Sequence, residues 1–157
     1  MPKFLYLFSI FLLEGSLFAA EPFAGTWTLS IAKSKFGESD KPPRQLVMVI
    51  QEQGDQDVVT VNGVAADGSP ISTKYTVLKT GGEEKFSEGG PSAGTSVVLA
   101  KRRVDSRTAD FRRSQNGRVI QTVHTVLSAD GKTMTQTVKG TDSQAKSYES
   151  VEVADRQ

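Results

Sequence analysis

The stretch from Thr108 to Gly140, TADFRRSQNGRVIQTVHTVLSADGKTMTQTVKG, decides the fold. Three runs rich in Val, Ile, Thr and Phe are separated by Asn116-Gly117 and by Asp130-Gly131. Such dipeptides reach positive φ at little cost, as tight hairpins require. Strands joined by connections this short run antiparallel. A parallel neighbour needs a crossover of about a dozen residues or more, usually helical. No helical periodicity interrupts the three runs.

The same signals recur upstream, at Gln53-Gly54-Asp55 and at Asp67-Gly68. Turns at such short, regular spacing belong to all-β sandwiches and barrels. Strands are expected at 25–30, 44–53, 57–64, 70–79, 95–104, 108–115, 118–128, 132–140 and 146–153, with a short extra strand near 84–87. The fold class this predicts is all-β, an antiparallel up-and-down meander of 8–10 strands closed into a barrel. Closure removes the two edges that an open sheet of this size would have to protect. Alternation puts Ile71, Thr73, Tyr75 and Val77 on one face, and Met134, Gln136 and Val138 on another. These inner faces mix apolar with polar groups, which suits a barrel interior that admits a ligand or water. Residues 80–94 read as an irregular connector. Residues 33–44 read as a second loop, ended by Pro42-Pro43 and placed to cap one end of the barrel.

Residues 1–20, MPKFLYLFSIFLLEGSLFAA, have a different character. Lys3 precedes a run from Phe4 to Leu13 that is apolar except for Ser9, and Ala19 and Ala20 supply small residues beyond it. This is the plan of a secretory signal peptide. The run is too short for a helix to span a bilayer, which takes about 20 residues. Cleavage is expected after Ala19 or Ala20, leaving 21–157 as the domain. The product would be secreted or periplasmic, with no stable membrane span.

Composition narrows the function classes. The 157 residues carry 19 Lys+Arg against 18 Asp+Glu, a formal charge of +1, so no global field attracts nucleic acid. The absence of cysteine removes disulfides, thiolate metal sites and a cysteine nucleophile. A single histidine, His124, rules out paired histidine ligands and leaves one imidazole for any acid–base chemistry. No phosphate-cradling glycine loop precedes a helix. No metal site and no cofactor are expected.

Phe23-Ala24-Gly25-Thr26-Trp27-Thr28-Leu29 places a Gly-x-Trp signature in the first strand. Gly-Thr-Trp-Thr-Leu-Ser-Ile-Ala-Lys-Ser-Lys-Phe at 25–36, Ala66-Asp67-Gly68-Ser69-Pro70-Ile71, and Val126 to Thr135 extend the pattern. In this order the motifs resemble exported bacterial lipocalin-like domains of the calycin type, over about residues 23–153. The resemblance implies a barrel with Trp27 across its closed end and a cavity for a small lipophilic molecule. It implies no catalytic apparatus. Two departures stand out. Many lipocalins set an Arg of a late strand against the Trp, and the last expected strand, 146–153, holds none. Fatty-acid-binding proteins use an Arg-x-Tyr pair for the ligand carboxylate, and the nearest equivalent here is Lys146-Ser147-Tyr148. Lysine lacks the planar fork of arginine.

The expected function is therefore non-enzymatic binding of a small lipophilic ligand. Tyr75, Phe111, Met134 and His124 are the candidate ligand-binding residues. His124 would share a face with Ile120, Thr122 and Val126, although a lone strand histidine is more often an exposed or hydrogen-bonded side chain. Lys101, Arg102, Arg103, Arg107, Arg112, Arg113 and Arg118 form a basic segment. It reads either as an anion site or as a solvated outer face balanced by Glu83, Glu84 and Glu88. Two rival functions are an envelope or interaction module with a filled barrel, and a small exported enzyme. Nothing in the sequence specifies an oligomeric state.

Overall fold

A computed structural model describes residues 21–37, 41–90, 96–141 and 146–157. The expected signal peptide, 1–20, lies outside the described residues. Ten strands follow one another: β1 (Gly25–Leu29), β2 (Gln45–Gln53), β3 (Gln56–Val64), β4 (Pro70–Leu78), β5 (Gly81–Glu88), β6 (Val97–Arg103), β7 (Thr108–Gln115), β8 (Arg118–Leu127), β9 (Thr133–Thr141) and β10 (Ser147–Arg156). Each pairs antiparallel with its sequence neighbours, and β1 also pairs with β10, so the meander is a closed barrel. No helix long and apolar enough to cross a membrane occurs among the described residues.

The hairpins form where the turn chemistry puts them. Asn116 and Gly117 both take positive φ, 50° and 74°, in the two-residue loop between β7 and β8. Asp130 works through its side chain: Oδ1 accepts from Ser128 Oγ and from the Lys132 amide. Asp67 does the same with the Ser69 amide and hydroxyl. Both are Asx-type turns.

Two strands differ from the sequence reading. The short extra strand expected near 84–87 is a full strand, β5, that takes up much of the expected connector at 80–94 and pairs with β6 from Gly81↔Ala100 to Glu84↔Val97. Residues 91–95 lie outside the described residues. The last strand runs to Arg156 and not to Val153. That extension supplies the missing arginine. Trp27 faces Arg156 in the β1–β10 register, and the guanidinium carbon stands 4.2 Å from the Trp27 ring centroid. Arg156 donates from Nε to Gly131 O, from Nη1 to Ala24 O and from Nη2 to Pro22 O. A desolvated cation over an indole is worth about 2 kcal/mol. Gly25 is required beneath it: its φ is 136°, and a Cβ there would lie 2.6 Å from Arg156 Nη1.

One end of the barrel is thereby sealed. Phe23, Trp27, Ala109, Leu127, Met134 and Ala154 form a buried floor. Trp27 is 1% exposed, and its indole N–H donates to Phe23 O at 2.9 Å. Above the floor a second belt of Val59, Tyr75, Val77 and Leu99 lines the wall. The loop after β1 stays on the wall and continues the sheet. The Ser30 amide donates to Val153 O, and Lys35 pairs with Val151 through two backbone bonds. The expected loop at 33–44 thus closes the gap left by the short β1. Its residues 38–40 lie outside the described residues.

Trp27→Ala removes the centre of this floor and should cost about 3–5 kcal/mol in urea unfolding. A midpoint unchanged by the substitution would contradict the role assigned to the Trp27–Arg156 contact.

Candidate functional site

Above the floor the barrel encloses a cavity of about 460 Å³. This lies within the roughly 300–1,000 Å³ typical of small-molecule sites. Most of its wall is apolar, with Leu46, Met48, Ile50, Val59, Val61 and Phe86 among the lining side chains. Tyr75, Phe111 and Met134 line it as well. Tyr75 and Phe86 pack ring to ring at 5.2 Å, tilted by 41°. They face each other because β5 carries one extra residue, Ser87, between its Phe86↔Tyr75 and Glu88↔Lys74 pairs.

His124 is placed elsewhere. Arg113 faces Gln121 while Ser114 faces Val119, so β8 bulges at Ile120. The bulge changes the parity of the strand. Ile120 faces the cavity, and beyond it Gln121, Val123 and Thr125 do. The expected shared face of Ile120 and His124 is therefore corrected. His124 stands on the outer wall with its side chain 54% exposed, and its Nδ1 is 2.7 Å from Asp110 Oδ1. The hydrogen bonds from His124 and then Arg102 hold the Asp110 carboxyl below its usual range.

Several polar groups face the cavity, among them charges that the sequence reading assigned to the basic segment and its acidic neighbours. Arg113 turns inward and is bound on three sides. Its Nε donates to Glu84 at 2.9 Å, its Nη1 to Gln121 at 2.8 Å and its Nη2 to the Tyr75 hydroxyl at 2.7 Å. Gln121 in turn donates to the Tyr148 hydroxyl. The Glu84 side chain is 1% exposed, whereas Arg113 keeps 30% of its own exposed. Lys101 pairs with Asp57 at 3.4 Å; Asp57 is buried and Lys101 nearly so. Strand parity separates these cations from their neighbours. Lys101 and Arg113 line the cavity, while Arg102 and Arg112 lie along the outer groove with His124. The basic segment at 101–118 is thus neither one anion site nor one solvated face. Among the described residues no group of three or more His, Asp or Glu is placed to hold a metal ion.

Two solved structures share this barrel. One is described as EF1p2_mFAP2b bound to DFHBI; it is 11% identical, with a TM-score of 0.52, covering 88% of this chain and 97% of that one. The other is zebrafish ileal bile acid-binding protein complexed with cholic acid; it is 12% identical, with a TM-score of 0.50, covering 87% and 99%. At such identities the likeness shows the fold alone, a closed antiparallel β-barrel. No protein-family model matches the chain significantly, and neither does any curated protein sequence.

Within this barrel the Tyr75 phenol reports the dryness of the wall. Burial pushes its pKa up, the Arg113 charge opposes this, and the Glu84 charge adds to the rise. For Arg113, burial works against the charge, but Tyr75 and Glu84 outweigh it and hold the guanidinium protonated. The raised phenol sets a sign for alkaline stability. Above about pH 10 the unfolded chain loses this proton while the folded chain keeps it, so stability falls as pH rises through that range. Tyr75→Phe should flatten that fall. The tyrosinate absorbance of the folded wild type should lack one of the steps seen after unfolding. Equal alkaline titration of folded and unfolded protein would contradict the buried, bonded phenol.

Proposed function

We propose that the protein is an exported, non-enzymatic carrier of a small lipophilic molecule, held in the barrel cavity above Trp27. The cavity itself carries this reading. A volume of about 460 Å³, walled chiefly by aliphatic and aromatic side chains, would be costly to leave in water and gains from apolar occupancy. A barrel serving only as an interaction module has no use for an unfilled interior. An enzyme built on His124 would need that imidazole at the cavity, and it stands on the outer wall.

The two similar structures support the reading by analogy, since each holds a small molecule named in its description, DFHBI or cholic acid. The resemblance of the first strand to exported lipocalin-like domains and the pattern of residues 1–20 support a secreted or periplasmic location. If the leader is removed, intact-mass measurement of the exported protein should show an N-terminus at Ala20 or Glu21. Retention of residues 1–18 would contradict export by cleavage.

Binding is tested with N-phenyl-1-naphthylamine, a neutral dye that brightens in apolar surroundings. The expected result is saturable binding with one dye per barrel. Val61→Trp, which fills the lumen, should weaken it by about tenfold or more through lost volume and contacts. Absence of saturable binding, or binding indifferent to Val61→Trp, would overturn the carrier reading.

A further inference from the structure

The charges inside the barrel are unequal in their commitments. Of the carboxylates that line the cavity, Glu84 is paired with Arg113, Asp57 with Lys101 and Glu21 with Arg103, and Glu152 accepts from Ser150. The Arg113 fork is already occupied by Glu84, Gln121 and Tyr75. Lys101 reaches Asp57 Oδ2 at 3.4 Å, a long contact for an ion pair. Asp57 Oδ1, in contrast, is buried with no hydrogen-bond partner among the described residues. The whole residue is only 6% exposed, and it lines the cavity near the floor end of β3. A buried carboxylate oxygen without a donor is unfavourable, and a ligand that brings a donor relieves it.

We propose that the cavity selects a lipophilic molecule bearing a hydrogen-bond donor, a protonated amine before a hydroxyl, seated on Asp57 Oδ1, and that it disfavours lipophilic carboxylates. The inference rests on the carrier reading above and specifies its ligand. A carboxylate head group would set a second negative charge beside Asp57 Oδ1, which has no donor of its own among the described residues. The arginine fork best shaped to receive it is closed by Glu84. An ammonium group finds the opposite conditions: an unmatched oxygen and low-dielectric walls that strengthen the pair. From Asp57 an apolar tail can extend toward the mouth over Val59 and Val61 on the same strand, past Phe86.

The test is displacement of N-phenyl-1-naphthylamine from the wild-type protein at neutral pH by decylamine, decanol and decanoate, three ligands of one chain length. Decylamine should displace the dye at the lowest concentration, decanol next, and decanoate only at about tenfold more than decylamine. Asp57→Asn should raise the decylamine requirement about tenfold and change that for decanol much less, because the amide oxygen still accepts. Lys101→Met removes the competing cation and should lower the decylamine requirement, so the two variants move in opposite directions. Bound dye reports that each variant is folded, and the wild-type series decides the order of head groups by itself. Decanoate displacing as readily as decylamine, or decylamine indifferent to both substitutions, would overturn the assignment while leaving the carrier reading intact. Failure of the dye to bind the wild type would overturn both.

Discussion

Arg156 lays its guanidinium 4.2 Å from the Trp27 ring centroid and donates to carbonyls of Pro22, Ala24 and Gly131. One side chain thus ties the last strand to the segment before β1 and to the turn between β8 and β9. The floor of the barrel and the closure of the sheet are the same set of contacts. With β1 only five residues long, the seam between first and last strands has few ladder bonds of its own. The floor contact and the Lys35–Val151 bridge make up for them. Everything above the floor, including the cavity, depends on this closed end.

The lumen divides its wall between two kinds of chemistry. Aliphatic and aromatic side chains supply most of the surface. Glu84, Arg113, Tyr75 and Gln121 form one bonded cluster, and Asp57 with Lys101 forms a second pair. Buried ion pairs add little net stability compared with an apolar replacement, because desolvation offsets the attraction. They do fix side-chain positions and give the lumen a pattern of charge. Arg113 is the clearest case. Its three hydrogen bonds keep it against the wall, so its charge shapes the interior without being open to an anion.

The meander was legible in the sequence because its turns are local. Asn116-Gly117 and the two Ala-Asp-Gly turns each act within a few residues, through positive φ or a side-chain bond to the same loop. What the sequence concealed depends on distant partners. Only the 84–87 part of β5 reads as strand; its start hides behind Gly81-Gly82, glycines that look like a loop. Gly81 is needed because its φ is 93° and a Cβ would stand 2.5 Å from Leu99 O across the ladder. Arg156 lies past the last apolar residue of its strand, where a polar tail reads as frayed. Lys101 and Arg113 read as surface charges because their carboxylate partners come from 44 and 29 residues away. Strict alternation from Val97 and Leu99 does carry Lys101 inward, and Arg113 follows as the partner of Leu99 across the ladder, which was the available signal. His124 went to the wrong face for one reason, the extra residue at Ile120. A bulge leaves no mark in a run of alternating Val, Ile and Thr.

The central claim is that an apolar molecule sits inside this barrel above its sealed floor. Trp27 is the single tryptophan of the chain and forms part of that floor. Energy transfer from Trp27 to bound N-phenyl-1-naphthylamine therefore measures the claim directly. The account predicts that Trp27 emission is quenched in step with dye binding, saturating at one dye per protein. Dye binding that leaves Trp27 emission unchanged would place the ligand outside the lumen and contradict it.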